Sequence, residues 1–313
     1  MKTIFKYIII MLIVAISNTA SAQQESMFTH YMFNKMAVNP GFTGAQEAVS
    51  ITGLHRSQWV SFEGAPTTQS IAAQMPITGK NFGVGLGVVN DQIGPTKDIG
   101  IKGNFAYHLK LNEKSKLGLG LSAGVNFVST NLNSLAIVEQ NDISFASNIN
   151  SKALPNFGFG AFYYTPKYFA GLSIPKLLQN SFETTNVSGS SIAISNDQRH
   201  YYLMGGAIFN LTADKQFKIK PTSLVKLTSG APIQMDLTTT VIYNDKLSGG
   251  LAIRTGDALG LLLGYTLNND LSFGYSFDWS YTNKTFNYNG GSHELMIRYN
   301  IVKEKTRSMP SIM

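Results

Sequence analysis

Leu117-Gly118-Leu119-Gly120-Leu121-Ser122-Ala123-Gly124-Val125-Asn126-Phe127 alternates apolar residues, most of them large, with glycine, serine and asparagine. A side-chain period of two places Leu117, Leu119, Leu121, Ala123, Val125 and Phe127 on one face of a sheet. Gly118, Gly120, Ser122, Gly124 and Asn126 then share the other. Phe82, Val84, Leu86 and Val88 repeat the pattern against Gly83, Gly85 and Gly87, and Leu271, Phe273, Tyr275, Phe277 and Trp279 repeat it against Ser272, Gly274, Ser276 and Asp278. In Ile101–Lys110 the second face is openly polar, with Lys102, Asn104, His108 and Lys110.

A soluble sandwich would turn the apolar face inward and carry dense charge on the other. Charged residues make up only 14% of this chain, against roughly 25% in soluble domains. A second face of glycine, serine and asparagine suits a tight or water-lined interior, with the large residues turned out to lipid. The 313 residues contain no cysteine, so closure must come from hydrogen bonds. The formal net charge of +7 falls to about +5 once Lys2 and Lys6 of the leader are removed. No block of lysine and arginine has the character of a nucleic-acid site.

Those two lysines, the apolar run Tyr7–Ile16 and the small residues Ala20-Ser21-Ala22 form a signal peptide over residues 1–22, with Gln23 as the first mature residue. The apolar run is too short to span a bilayer. Strands are expected near 48–58, 67–75, 81–90, 98–110, 116–130, 156–164, 168–174, 200–211, 217–227, 234–243, 247–254, 258–267, 271–279 and 292–299. Every second connection is short, as at Asn112-Glu113-Lys114, Asn244-Asp245-Lys246 and Asn268-Asn269-Asp270, and the long ones (131–155, 175–199, 280–291) all fall in the other phase. Outer-membrane barrels have this segregation, with short periplasmic turns, long outer loops and an even strand count. The expectation is all-β: a transmembrane antiparallel β-barrel of about 14 strands over 48–299, preceded by a periplasmic or plug segment at 23–47 and followed by a periplasmic tail at 300–313. Trp59 and Trp279 fall at outer strand ends, and Tyr164, Tyr168, Tyr243 and Tyr299 near inner ends, as two interfacial girdles would. The first two strands alternate poorly, and Pro221, which cannot donate to a ladder, predicts a bulge.

Several segments together resemble one family. Tyr31-Met32-Phe33-Asn34 is followed by Asn39-Pro40-Gly41-Phe42-Thr43-Gly44, and then by Arg56-Ser57-Gln58-Trp59-Val60-Ser61-Phe62-Glu63-Gly64-Ala65-Pro66-Thr67-Thr68-Gln69. Later come Tyr168–Pro175, Lys220-Pro221 and Gly291–Leu295. This set resembles the PorP/SprF outer-membrane proteins of the type IX secretion system across essentially the whole mature chain. The departures are small: Lys35 stands where the family often has proline, and Gly41-Phe42 replaces a common Ala-Tyr. The resemblance implies an outer-membrane barrel that serves secretion or gliding. Such a barrel would hold a secreted adhesin through its C-terminal domain, or connect to periplasmic type IX components. A passive or ligand-specific porin is the alternative.

Three groups of residues are candidates for function. Arg56, Trp59, Phe62, Glu63 and Pro66 either present a rim for the secreted partner or form a tight turn with an interfacial tryptophan. Phe28, Tyr31, Phe33 and Phe42 carry too much apolar area to hang in water, and a plug is favoured over a periplasmic docking segment. Strand phase puts Lys102, Lys110, Lys218, Lys220, Lys226, Asp236, Arg254, Asp278, Glu294 and Arg298 inside. An anion-selective pore competes there with mutually paired charges filling the lumen, and the cost of unpaired buried charge favours pairing. Catalysis has little support. Gly120-Leu121-Ser122-Ala123-Gly124 matches a nucleophile-elbow pattern, but it lies in mid-strand rather than at a strand-to-helix turn. The five histidines have no metal-ligand spacing. No enzyme activity, cofactor, metal or nucleic acid is expected, and outer-membrane lipid is the first partner.

Overall fold

The computed structural model describes residues 27–46, 48–132, 149–185, 191–196, 198–268, 270–281 and 289–301. The expected signal peptide, residues 23–26, the tail beyond Ile301 and the middles of two long loops (133–148 and 282–288) lie outside them.

The chain is a closed antiparallel β-barrel of fourteen staves. In chain order the strands are β1 (Val49–Ser57), β2 (Thr67–Pro76), β3 (Phe82–Ile93), β4 (Thr96–Lys110), β5 (Lys116–Thr130), β6 (Ile149–Tyr164), β7 (Tyr168–Ile174), β8 (Ser181–Thr185), β9 (Ser191–Asn196) and β10 (His200–Ala207). They continue as β11 (Phe209–Asn210), β12 (Phe217–Thr228), β13 (Gln234–Tyr243), β14 (Leu247–Arg254), β15 (Ala258–Leu267), β16 (Leu271–Ser280) and β17 (Ser292–Ile301). Sequence neighbours pair around the ring, β10 and β11 form one stave, and β1 pairs with β17 to close it. Closure leaves no edge in the hydrocarbon, where an unpaired backbone group has no water to turn to. β8 and β9 form a separate hairpin within the β7–β10 connection.

The alternation sets the two faces. Leu86, Leu121, Leu172, Leu251, Leu263 and Ile297 are more than half exposed around the outside, while Asn104, Ser122, Thr222, Thr238 and Ser276 are buried inside. β1 and β2 alternate as cleanly as the rest, with Ser50, Thr52, Leu54 and Arg56 facing inward. Their sequence looked irregular because lumen residues in this sector include Leu54 and Ala72, the latter clustered with Tyr31, Met36 and Phe42 of the N-terminal segment.

At the rim that carries both barrel ends, the turns are tight. Asn244 and Asp245 both have positive φ (52° and 54°), and the Lys246 amide donates to the Tyr243 carbonyl at 3.0 Å, a mirror-image turn that matches strand twist. In a neighbouring turn, hydrogen bonds from Thr212 and the Gln216 amide hold the Asp214 carboxyl below its ordinary range. By the short-turn rule this rim is periplasmic. On the opposite side β4, β5 and β6 run 15, 15 and 16 residues, where a membrane strand needs about 9–11. Their outer ends pair with one another at Thr96, Thr130 and Ile149, and β3 accompanies them to Ile93.

Three expectations need correction. β6 begins at Ile149, so the loop expected at 131–155 is shorter, and the 175–199 loop contains the β8–β9 hairpin. Pro221 makes no bulge: β12 pairs with β13 in unbroken register from Phe217 to Lys226. On its other side the ladder loses a rung between β10 and β11 without a register shift, because Pro221 has no N–H to donate opposite Ala207; the Ile208 amide, facing the other neighbour, donates to the Lys167 carbonyl at 2.8 Å. Among the described residues the ring shifts register in the β5–β6 ladder, between Val128 and Thr130. Tyr164 is no girdle residue. It is 4% exposed, faces the lumen and hydrogen-bonds His108 at 3.1 Å. Tyr168, Tyr243 and Tyr299 do face outward.

Candidate functional site

Residues 27–46 lie inside the ring. Three single helical turns (Tyr31–Phe33, Lys35–Val38 and Pro40–Phe42) carry the segment from the outer half of the lumen to its periplasmic end, where the chain turns into β1. Tyr31 and Phe42 are buried, and Phe28 and Phe33 are half-buried. Phe42 meets Phe162 edge-on at 5.2 Å, and the Lys35 ammonium sits over the rings of Phe42 and Phe169 at 4.9 and 4.8 Å, a favourable placement for a desolvated cation.

Glycine makes the segment fit. A Cβ on Gly120 would fall 2.2 Å from the Pro40 carbonyl carbon, one on Gly83 2.1 Å from the Thr43 oxygen, and one on Gly118 2.1 Å from the Gly41 oxygen. The glycine face that looked like a narrow or wet lumen is therefore a seat for backbone. Polar bonds fasten the segment around the ring. Asn39 donates to the carbonyls of Ala161 and Leu172, Ser173 to that of Val38, and the Gly44 amide to Gln74. His108 Nε2 bonds the Thr43 carbonyl at 2.8 Å, and Tyr31 donates to Thr222 at 3.2 Å.

At the upper end the fastening is ionic. Glu294 accepts the amides of Thr29 and His30 at 2.8 and 2.7 Å, the His30 ring at 2.8 Å, and Arg56 at 3.3 Å. Arg56 also reaches Asp278 at 2.7 Å, and Thr29 donates to the same carboxylate. Arg254 completes the chain of charges, bonding Asp236 at 2.9 Å and Asp257 at 3.2 Å. Arg56, Asp278 and Glu294 are nearly inaccessible. Buried charges of this kind persist where each finds an opposite charge and further hydrogen bonds.

Of the lumen candidates, Lys220, Asp236, Arg254, Asp278, Glu294 and Arg298 are buried inside, with Lys226. Lys102 is inward but half-buried, Lys110 is exposed, and Lys218 pairs with Asp245 at 2.6 Å near the periplasmic rim. Among the rim candidates Arg56 is not at the rim: one residue before the end of β1, it faces inward and joins the lumen network. Pro66 is buried, Trp59 is half-buried with φ 46°, and Phe62 and Glu63 are exposed at the loop tip. That loop is braced on the β16–β17 connection by reciprocal Val60–Gly291 and Gly290–Val60 backbone bonds of 2.9 and 2.7 Å. Sequence reasoning missed His30, Thr29 and the glycine seat; the inward glycines were visible, but not what they were small for.

The segment meets β3–β6 at Gly83, His108, Gly118, Gly120 and Ala161, in the inner halves of those strands. Above them, Asp91, Asp98, Lys102 and Asn126 face inward and are half-buried, with Asn126 donating to Asp98 at 2.8 Å. The tall β4–β6 wall, this polar recess and the braced loop tip together form an outer mouth with a filled floor. Among the described residues no set of ligating side chains could hold a metal ion, and Ser122 lies in mid-strand, facing the lumen.

The sequence pattern that defines the type IX secretion system membrane protein family PorP/SprF matches residues 20–299. No curated protein sequence matches the chain. Similar solved structures include the CymD monoaromatic hydrocarbon channel (11% identity, 90% of this chain and 93% of that one, TM-score 0.48). They also include Omp33 of Acinetobacter baumannii (11%, 82% and 99%, 0.44) and the KdgM porin (12%, 81% and 100%, 0.39).

Proposed function

Since the chain belongs to the PorP/SprF family of type IX secretion system membrane proteins, we propose that this outer-membrane barrel acts as a holder rather than a pore. It retains a secreted surface protein by the C-terminal domain of that protein and links it to periplasmic components of the secretion machine. One observation carries this reading: the lumen is occupied by the barrel's own residues 27–46, seated on glycines and pinned by buried charge. A passive porin needs a water-filled path, and here the path holds backbone. Retention needs no chemistry. The partner would seat in the outer mouth, against the β4–β6 wall and the Val60–Phe62 loop tip, while the outward girdles resist pull.

The test is affinity purification of the barrel from native outer membranes, with conductance of the same preparation measured in planar bilayers. A holder brings down a large secreted protein, loses it when Phe62 and Val60 are both changed to serine, and stays closed. A preparation that brings down no secreted protein and conducts steadily would establish the porin reading instead.

A further inference from the structure

On one stretch of the lipid-facing surface polar residues stand together on four neighbouring strands. Two adjacent ladder rows cross the outer third of β17, β1, β2 and β3 on the outward face: His293, Ser57, Thr67 and Gln92 in one, and His55, Gln69 and Asn90 in the other. These residues stand six to ten positions above the inner ends of their strands. Six to ten positions above the inner ends on the opposite wall (β10–β13, counting β10 and β11 as one stave) the outward residues include Tyr201, Leu203, Leu227 and Leu237, all 39–52% exposed. The polar block thus sits where the far wall is still greasy. Its groups are partly bonded to each other: Ser57 with His55, Asn90 to Gln69, and Tyr275 with His293 at 2.8 Å. Each imidazole and amide keeps further donor or acceptor capacity, since a single bond does not exhaust it. Polar groups on a lipid face are costly unless they meet a partner.

We propose that this face is a lateral contact for a second copy of the same chain. The outward residues of the four strands include no lysine, arginine, aspartate or glutamate. An anionic lipid headgroup would be met by cations, which the face lacks. A two-fold contact presents one patch to itself and must be self-complementary. Neutral groups that both donate and accept satisfy that condition without repulsion, and Gly53 beneath them permits close approach. Four strands at about 4.8 Å spacing and about ten residues of height give roughly 600 Å² per copy. The resulting total of about 1,200 Å² reaches the range of specific contacts.

The chain has no cysteine, so single cysteines report cleanly. His55→Cys, Gln69→Cys and Ile71→Cys, placed one at a time in full-length protein in native outer membranes, should give a double-mass band with a short bis-maleimide. Leu203→Cys on the far wall should give at least fivefold less. Combining Gln69→Leu and Asn90→Leu with Ile71→Cys should reduce the band about tenfold while the barrel keeps its heat-modifiable mobility. Equal yields from both walls, an adduct only with a different protein, or no protein adduct at all would each overturn the proposal, the last in favour of a lipid neighbour.

Discussion

Replacing Glu294 by alanine should unfasten the N-terminal segment without preventing the barrel from forming. The carboxylate accepts four bonds, two of them from the Thr29 and His30 amides, and is fully buried. Its loss leaves two buried donors unpaired, at about 1–3 kcal/mol each, and takes one of the two carboxylates that Arg56 touches. Breaking a buried ion pair from one side costs about 3–5 kcal/mol. Some of that falls on the β1–β17 seam, because Arg56 and Glu294 are also ladder partners. If most of it falls on docking, the released fraction of the segment rises by about two to three powers of ten, at 1.4 kcal/mol per tenfold. Single-channel recording should then show brief openings, with the 23–44 deletion as the permanently open reference. Cold-loaded gels should still show the compact folded band, lost at a lower temperature than in the parent. A Glu294→Ala protein as silent and as heat-resistant as the parent would refute the view that this network holds the segment in place.

The glycine seat makes a sharper contrast. Gly120→Val should keep Pro40 and Gly41 from docking and open the channel, whereas Gly87→Ala, which meets nothing within 4 Å, should leave conductance unchanged. Phe42→Ala removes a ring that is 1% exposed and packed on Phe162; the expected cost of about 3–5 kcal/mol should appear as a lower temperature of heat modification and faster proteolysis of residues 27–46. Leu251→Lys puts a charge on the lipid face and should cost about 2–4 kcal/mol near the bilayer midplane, read in urea refolding into liposomes. Asp245→Asn at the exposed end of the Lys218 pair should change stability by under about 1 kcal/mol in the same assay.

The period-two alternation of Leu117–Phe127 and its counterparts was sufficient for the barrel, because lipid outside and a closed ring inside leave a strand only two faces to satisfy. Loop lengths alternating in phase then oriented it, since exported barrels place their short turns toward the periplasm. Chemistry at single positions was less legible. Arg56 reads as a rim residue beside Trp59, and only its register opposite Glu294 shows that it points inward; Tyr164 looks like its outward neighbours for the same reason, and one residue of phase separates lipid from lumen. Pro221 announced a missing donor, but what the ladder did about it depended on the strand beside it.

Local pattern alone, then, determined a membrane cylinder with small inward residues and an apolar segment ahead of it, since periodicity and composition are properties of the chain. That Gly83, Gly118 and Gly120 accept the backbone of residues 40–44, and that Thr29 and His30 meet Glu294 more than 260 positions away, was decided by tertiary structure. Those contacts exist only once β1 has closed on β17, and no short-range pattern encodes which distant carboxylate will be waiting at that height.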